Sequence, residues 1–136
     1  MIEPHIFPLR VYFEDTDAGG IVYYANYLRF AERARTEMLR SAGIESGHLM
    51  RQDKITLTVK TCHVDYQRPA HLDDALEVYS RIVKVGGASL HGEQKIKCHG
   101  NELVNIQIKL ACMNIHGKPT RLPNKLRSTL NTLCST

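Results

Sequence analysis

Val11 to Arg40 reads VYFEDTDAGGIVYYANYLRFAERARTEMLR. The stretch opens as a strand, passes through an acidic loop that contains Gly19 and Gly20, and continues as a long amphipathic helix. That order sets the carboxylate of Asp17 a few residues ahead of a helix N-terminus. Such a terminus carries unpaired N–H donors and partial positive charge. A carboxylate beside these donors suits attack at a carbonyl whose oxygen is held by backbone amides. The other reading of Asp17 is an acidic turn whose side chain bonds its own backbone or water.

The helix is expected over Tyr24–Ala42, nineteen residues. At 1.5 Å per residue it would run about 28 Å, enough to cross the full width of a sheet. Tyr27, Ala31, Ala34, Met38 and Ala42 recur every three or four residues and form one apolar stripe. Glu32, Arg33, Glu37 and Arg40 lie mostly off it, and Gly43 is a natural stop. Upstream, Phe7, Leu9, Val11 and Phe13 alternate with polar or exposed-type residues, the pattern of a half-buried strand.

Downstream the period changes to two. Strands are expected over 55–66, 75–83, 88–98 and 102–113. Arg68-Pro69-Ala70, Asp73-Asp74, Gly86-Gly87 and His99-Gly100-Asn101 punctuate them. The last of these signals pairs 88–98 with 102–113 as a hairpin. Pro123 suits a helix start, and Leu122, Leu126, Leu130 and Leu133 form a stripe that packs on the domain. One strand, one long helix and then a run of strands describes an α+β fold: a mainly antiparallel sheet and one covering helix.

Composition narrows the function classes. The 136 residues read as one domain spanning 1–136. A net charge of +4 is too small to argue for nucleic acid without a patch. Past Gly117, Lys118, Arg121, Lys125 and Arg127 occur with no acid among them, either a mild anion-attracting field or ordinary solvated charge. No apolar run approaches a membrane span, and the N-terminus has no secretory signature. Cys62, Cys98, Cys112 and Cys134 are widely spaced, which argues against zinc and against a disulfide framework and favours the cytoplasm.

Tyr12 to Tyr27, YFEDTDAGGIVYYANY, resembles the signature of hotdog-fold acyl-CoA thioesterases, in particular the 4-hydroxybenzoyl-CoA thioesterase family and its Tol–Pal-associated, YbgC-like branch. Glu32-Arg33-Ala34-Arg35-Thr36-Glu37 continues the match, and Val64-Asp65-Tyr66-Gln67-Arg68-Pro69-Ala70 supplies a second one. The resemblance implies a five-stranded antiparallel sheet wrapped around the long helix, with a short C-terminal helix. It implies edge-to-edge dimers that commonly pair into tetramers, and an active site at the dimer interface. Asp17 would be nucleophile or general base, and the backbone N–H near Tyr24 would polarise the thioester carbonyl. Acyl-CoA is the implied substrate and acyl carrier protein a further partner. No metal or redox cofactor is implied.

The chemistry agrees with the residues present. A thiol near pKa 8.5 leaves with little help from a general acid, so one carboxylate and one helix N-terminus suffice for a thioester. An amide, whose leaving amine needs a proton, would be poorly served. The chain departs from the YbgC-like pattern at Tyr24, where much of that branch has His. It also has Val85-Gly86-Gly87-Ala88 where the aromatic-acyl branch carries a basic run. The candidates to hold the nucleotide end of CoA are therefore Arg68, Lys84 or Lys118, with an ordinary strand-end charge as the other reading of Arg68; Tyr23 and Tyr24 are candidate acyl-pocket residues and Tyr27 reads as core.

Other constellations carry less. The DTDAGG run fails as a calcium loop, because Gly19 and Asn26 stand where the fifth and twelfth ligands belong. His63 and Asp65 share a strand face and read as cross-strand polar neighbours rather than a metal pair. The remaining histidines show no ligand spacing. A hotdog dehydratase would need a His in the key loop, and none is there. A non-catalytic acyl-CoA-binding module stays open as the alternative to the enzyme.

Overall fold

The alternating run near the N-terminus becomes β1, His5–Arg10, in the computed structural model, which describes residues 3–134. The strand stops sooner than its alternation suggests. Tyr12 N–H donates to the Asp15 carboxylate at 2.8 Å, and Thr16 N–H donates to the Phe13 carbonyl at 3.1 Å. These bonds wind Phe13–Asp15 into a 3-10 turn. Phe13, expected on the buried face, is 81% exposed as a result, whereas Val11 is fully buried.

The long helix, α1, spans Asn26–Ser41. It starts two residues after the expected Tyr24, because Tyr23 N–H donates to the Asp15 carbonyl at 3.0 Å and holds that segment in the loop. Its buried side is Tyr27, Phe30, Ala31, Ala34, Met38 and Leu39, the expected stripe broadened by Phe30 and Leu39. At its end Gly43 adopts φ 83°, with Gly43 N–H on the Arg40 carbonyl and Ile44 N–H on the Leu39 carbonyl. This is a Schellman closure that needs a residue free of a Cβ penalty. A short helix that periodicity did not reveal, α2 at Ser46–His48, runs into a π-helical turn, Leu49–Asp53.

The remaining strands are β2 (Ile55–Tyr66), β3 (Ala75–Val85), β4 (Ser89–Cys98) and β5 (Asn101–Asn114); α3 (Asn124–Leu133) follows. All pairings are antiparallel, in the order β1-β3-β4-β5-β2. The β4–β5 hairpin turns through His99 and Gly100 at φ 51° and 81°, the doubly left-handed turn whose twist matches the strands. α3 packs on β3 through its leucine stripe, with Leu126 and Leu130 buried and Pro123 as N-cap.

One expectation about coverage needs correcting. α1 does not span the sheet; it packs chiefly on β1, β3 and β4. The helix-facing side chains of β2 are thereby left open. Leu57, Val59, Cys62, Val64 and Tyr66 pair in register with the buried Cys112, Leu110, Ile108, Ile106 and Val104. Val59 is nevertheless 47% exposed and Tyr66 44%. The outer sheet face, in contrast, needs no apolar cover. It displays ion pairs and polar bonds such as Arg81–Glu93 at 2.8 Å, Lys95–Glu102 at 3.6 Å and Gln107 to Glu93 at 2.9 Å. His63 and Asp65 lie on that face, opposite Gln107 and Asn105 in the register.

Candidate active site

Asp17 sits in a tight reverse loop. Its N–H donates to the Ile21 carbonyl at 2.9 Å, its carbonyl accepts Gly20 N–H at 3.0 Å, and Thr16 bridges Val22. Gly20 takes φ 80°, which this closure requires. Oδ1 of Asp17 accepts Gly19 N–H at 2.8 Å. A Cβ on Gly19 would come within 3.1 Å of that oxygen, so glycine there leaves the carboxylate its position. Oδ2 has no hydrogen-bond partner among the described residues, and the side chain is exposed.

Asp15 is structural. Its carboxylate holds Tyr12, and its carbonyl accepts both Tyr23 N–H and the Asn26 side-chain amide, the latter at 2.9 Å. The first residue of α1 is thus tied to the start of the acidic loop. The second motif holds the same loop from the other side. Val22 N–H donates to the Ala70 carbonyl at 2.9 Å, Ala70 N–H donates to the Tyr27 hydroxyl at 2.9 Å, and Ile21 bridges His71. Burial pushes the Tyr27 phenol above its ordinary value, partly offset by the bond from Ala70.

The helix entrance carries no side-chain cap. Asn26 N–H donates back to the Tyr23 carbonyl at 2.8 Å, but the N–H groups of Tyr24 and Ala25 find no acceptor among the described residues. Such donors at a helix start are suited to an oxyanion. Around them stands an aromatic wall. The ring centroids of Tyr23 and Tyr24 are 5.0 Å apart, those of Tyr24 and Tyr66 6.1 Å, and those of Tyr27 and Tyr66 5.7 Å. The Tyr66 hydroxyl donates to the Tyr24 carbonyl at 3.2 Å, and the N–H on the opposite side of that peptide is that of Ala25. Periodicity offered no signal for Tyr66 beyond its place in the second motif, because its contact with Tyr24 crosses 42 residues of sequence.

Five of the residues singled out from the sequence gather at this end of the molecule: Asp17, Tyr23, Tyr24, Tyr27 and Arg68. Arg68 is exposed beside Pro69, His71, His99 and Asn101 around a shallow cleft, and its backbone N–H donates to Leu103 at 3.1 Å. Lys84 and Lys118 are elsewhere. Lys84 lies nine residues along β3 from Ala75, about 30 Å at strand rise. Lys118 closes the turn at Asn114, which faces Ile55, at the end of β2 remote from Tyr66. Within one chain these lysines do not meet the Asp17 loop.

A helix gripped by a five-stranded antiparallel sheet, with a carboxylate loop leading into an uncapped helix start, defines the hotdog thioesterase class. The family model of the thioesterase-like superfamily matches residues 11–130, and the chain belongs to that superfamily. It is 40% identical over 128 residues to the acyl-CoA thioesterase YbgC of Haemophilus influenzae, covering 93% of this chain and 94% of that one. With the acyl-CoA thioester hydrolase YbgC of Escherichia coli O157:H7 it shares 42% over 121 residues, 88% of this chain and 90% of that one. Among solved structures, the probable thioesterase from Bartonella henselae superposes with TM-score 0.86 at 37% identity, over 88% of this chain and 99% of that one.

Proposed function

We propose that this enzyme hydrolyses acyl-CoA thioesters to free acid and CoA. Asp17 acts as nucleophile or as general base on water, and the Tyr24 N–H holds the developing oxyanion. The observation that carries the reading is the pairing of a displayed carboxylate, with Oδ2 unbonded, and a helix entrance whose N–H groups at Tyr24 and Ala25 have no acceptor among the described residues. The YbgC relatives support the substrate class. The departing thiolate needs little protonation, so the site requires no second acid. Tyr23, Tyr24 and Tyr66 form the wall against which the acyl group packs.

The working form is a dimer joined through β2, and a dimer of dimers is compatible with it. The free backbone edge of β2, the last strand of the sheet, supports this assembly, since unpaired N–H and C=O groups along an edge are a pairing template. In an antiparallel, isologous β2–β2 pairing the start of one strand lies beside the end of the other. Lys118 of a second copy is then carried toward Tyr66 and Tyr24 of the first, and Arg68 together with that lysine receives the phosphates of CoA. Acyl carrier protein, which lacks the nucleotide, is the second substrate class. The cysteine usage fits a cytoplasmic enzyme.

The test is thiol release from a panel of short, long and aromatic acyl-CoAs. Hydrolysis of at least one member at an enzymatic rate supports the reading. Binding without thiol release from any member would make the protein a non-catalytic module.

A further inference from the structure

Arg35 is the one cation of α1 turned toward the sheet, and the chemistry at Asp17 does not use it. Its Nη1 donates to Gln94 Oε1 at 2.9 Å. Gln94 is 1% exposed, and its amide nitrogen donates to the Ala31 carbonyl at 2.8 Å and to Ser80 Oγ at 2.9 Å. Two polar side chains, Ser80 and Gln94, thus occupy sheet positions that are otherwise apolar and fix one arm of the guanidinium. No carboxylate lies within ion-pair distance of Arg35 among the described residues. The charged or titratable groups that face it are Glu32, on the same helix, and the Cys62 thiol of β2.

The rest of the guanidinium borders an open cleft between α1 and β2. Leu39, Leu49, Leu57 and Val59 give that cleft apolar walls, and Thr36 and Thr58 add hydroxyls. The helix-facing strip of β2 continues past Cys62 and Val64 to Tyr66, which touches Tyr24. A half-buried cation held by a buried amide, with Glu32 on the cleft rim but no carboxylate in ion-pair contact, is costly unless something anionic meets it directly.

We propose that Arg35 is a recognition site for a carboxylate at the far end of the acyl group, so that the enzyme favours ω-carboxylated acyl thioesters. The inference rests on the thioesterase reading and names its substrate class. Guanidinium reads carboxylate through paired N–H donors, and here it must do so alone, since Thr36 Oγ1 already donates to the Glu32 carbonyl at 3.0 Å and Thr58 Oγ1 is bonded to Thr56 at 3.3 Å. A phosphate of CoA offers the same kind of oxygens but fits less well. It would bring up to two negative charges beside Glu32 into a cleft with apolar walls.

The experiment compares kcat/KM for matched pairs differing only in the terminal group, at lengths suited to the eleven positions, about 16 Å at helical rise, between Tyr24 and Arg35: suberyl against octanoyl, dodecanedioyl against dodecanoyl, hexadecanedioyl against hexadecanoyl. The parent enzyme should favour the carboxylated member roughly tenfold or more for at least one length. Arg35→Gln should abolish that ratio and Arg35→Lys should retain part of it. The preference should persist on acyl-pantetheine thioesters, which lack the nucleotide phosphates. Equal rates for both members at every length in the parent enzyme overturn the proposal without any variant, so a poorly folding Arg35→Gln does not protect it. A ratio that survives Arg35→Gln, or one that vanishes on pantetheine, also overturns it. Hydrolysis of neutral acyl-CoAs without the preference leaves the thioesterase reading standing; failure on every substrate removes both.

Discussion

The phenolic oxygen of Tyr27, on the second residue of α1, accepts the backbone N–H of Ala70 at 2.9 Å. This buried bond joins the two motifs that the sequence keeps 43 residues apart. Ala70 in turn receives Val22 N–H on its carbonyl, so one residue fastens both the helix start and the loop that carries Asp17. Tyr27→Phe keeps the ring packing and strands a buried donor. It should cost about 1–3 kcal/mol in stability by denaturant unfolding, because an unpaired buried N–H loses its full solvation. An unchanged midpoint would show that water or another acceptor replaces the phenol.

Asp17→Asn should lower kcat at least ~10²-fold with the fold intact, the low end for removing a positioned acid–base group. Asp15→Ala makes the contrast. Its carboxylate bonds Tyr12 N–H at 2.8 Å and takes no part in the proposed chemistry, so the variant should lose stability and far less turnover. Near-normal kcat in folded Asp17→Asn would remove Asp17 from the mechanism.

The free backbone edge of β2 predicts self-association. Light scattering at micromolar concentration should give a dimer or tetramer, and specific activity should fall on dilution through dissociation. A monomer with full activity would contradict the shared interface.

Phosphate recognition should separate the three basic residues. Arg68→Ala and Lys118→Ala should raise KM for an acyl-CoA, flatten its salt dependence and leave kcat nearly unchanged, while sparing the matching pantetheine thioester. Lys84→Ala should do less, since Lys84 is remote from the Asp17 loop along β3. If all three variants treat both substrates like the parent, carrier protein displaces free acyl-CoA as the favoured substrate.

Glu93 sets one part of the acid limit. Burial pushes its carboxyl upward, but hydrogen bonds from Gln107 and Arg81 outweigh this and leave it below the ordinary 4.5. A depressed folded-state value contributes stability above the unfolded value, and that contribution is lost as pH falls through the folded one. Stability should therefore decline below about pH 4.5, and Glu93→Gln should flatten that decline. An identical acid profile in the variant would assign it to other carboxylates.

Much of the architecture could be read before any coordinates. The stripe of α1, the Gly43 stop, the β4–β5 hairpin and the leucine face of α3 depend on local periodicity and turn chemistry, which act over a few residues. The Asp17 loop was legible for the same reason: glycines, acids and a helix start lie within ten positions. Where the strands stand in the sheet was not legible. β2 follows α1 in the chain yet lies at the edge beside β5, far from β1. That order alone decides that α1 leaves β2 uncovered, that Tyr66 reaches Tyr24, that Lys84 and Lys118 stand apart from Asp17, and that Arg35 meets Gln94 across 59 residues. Local hydrogen bonding and side-chain period specify which segments are helix or strand and which loop bears the carboxylate, and these act within a few residues of chain. Which side chains share a site depends on non-local strand pairing, chosen by burial of the whole sheet, and that pairing exists only in the folded molecule.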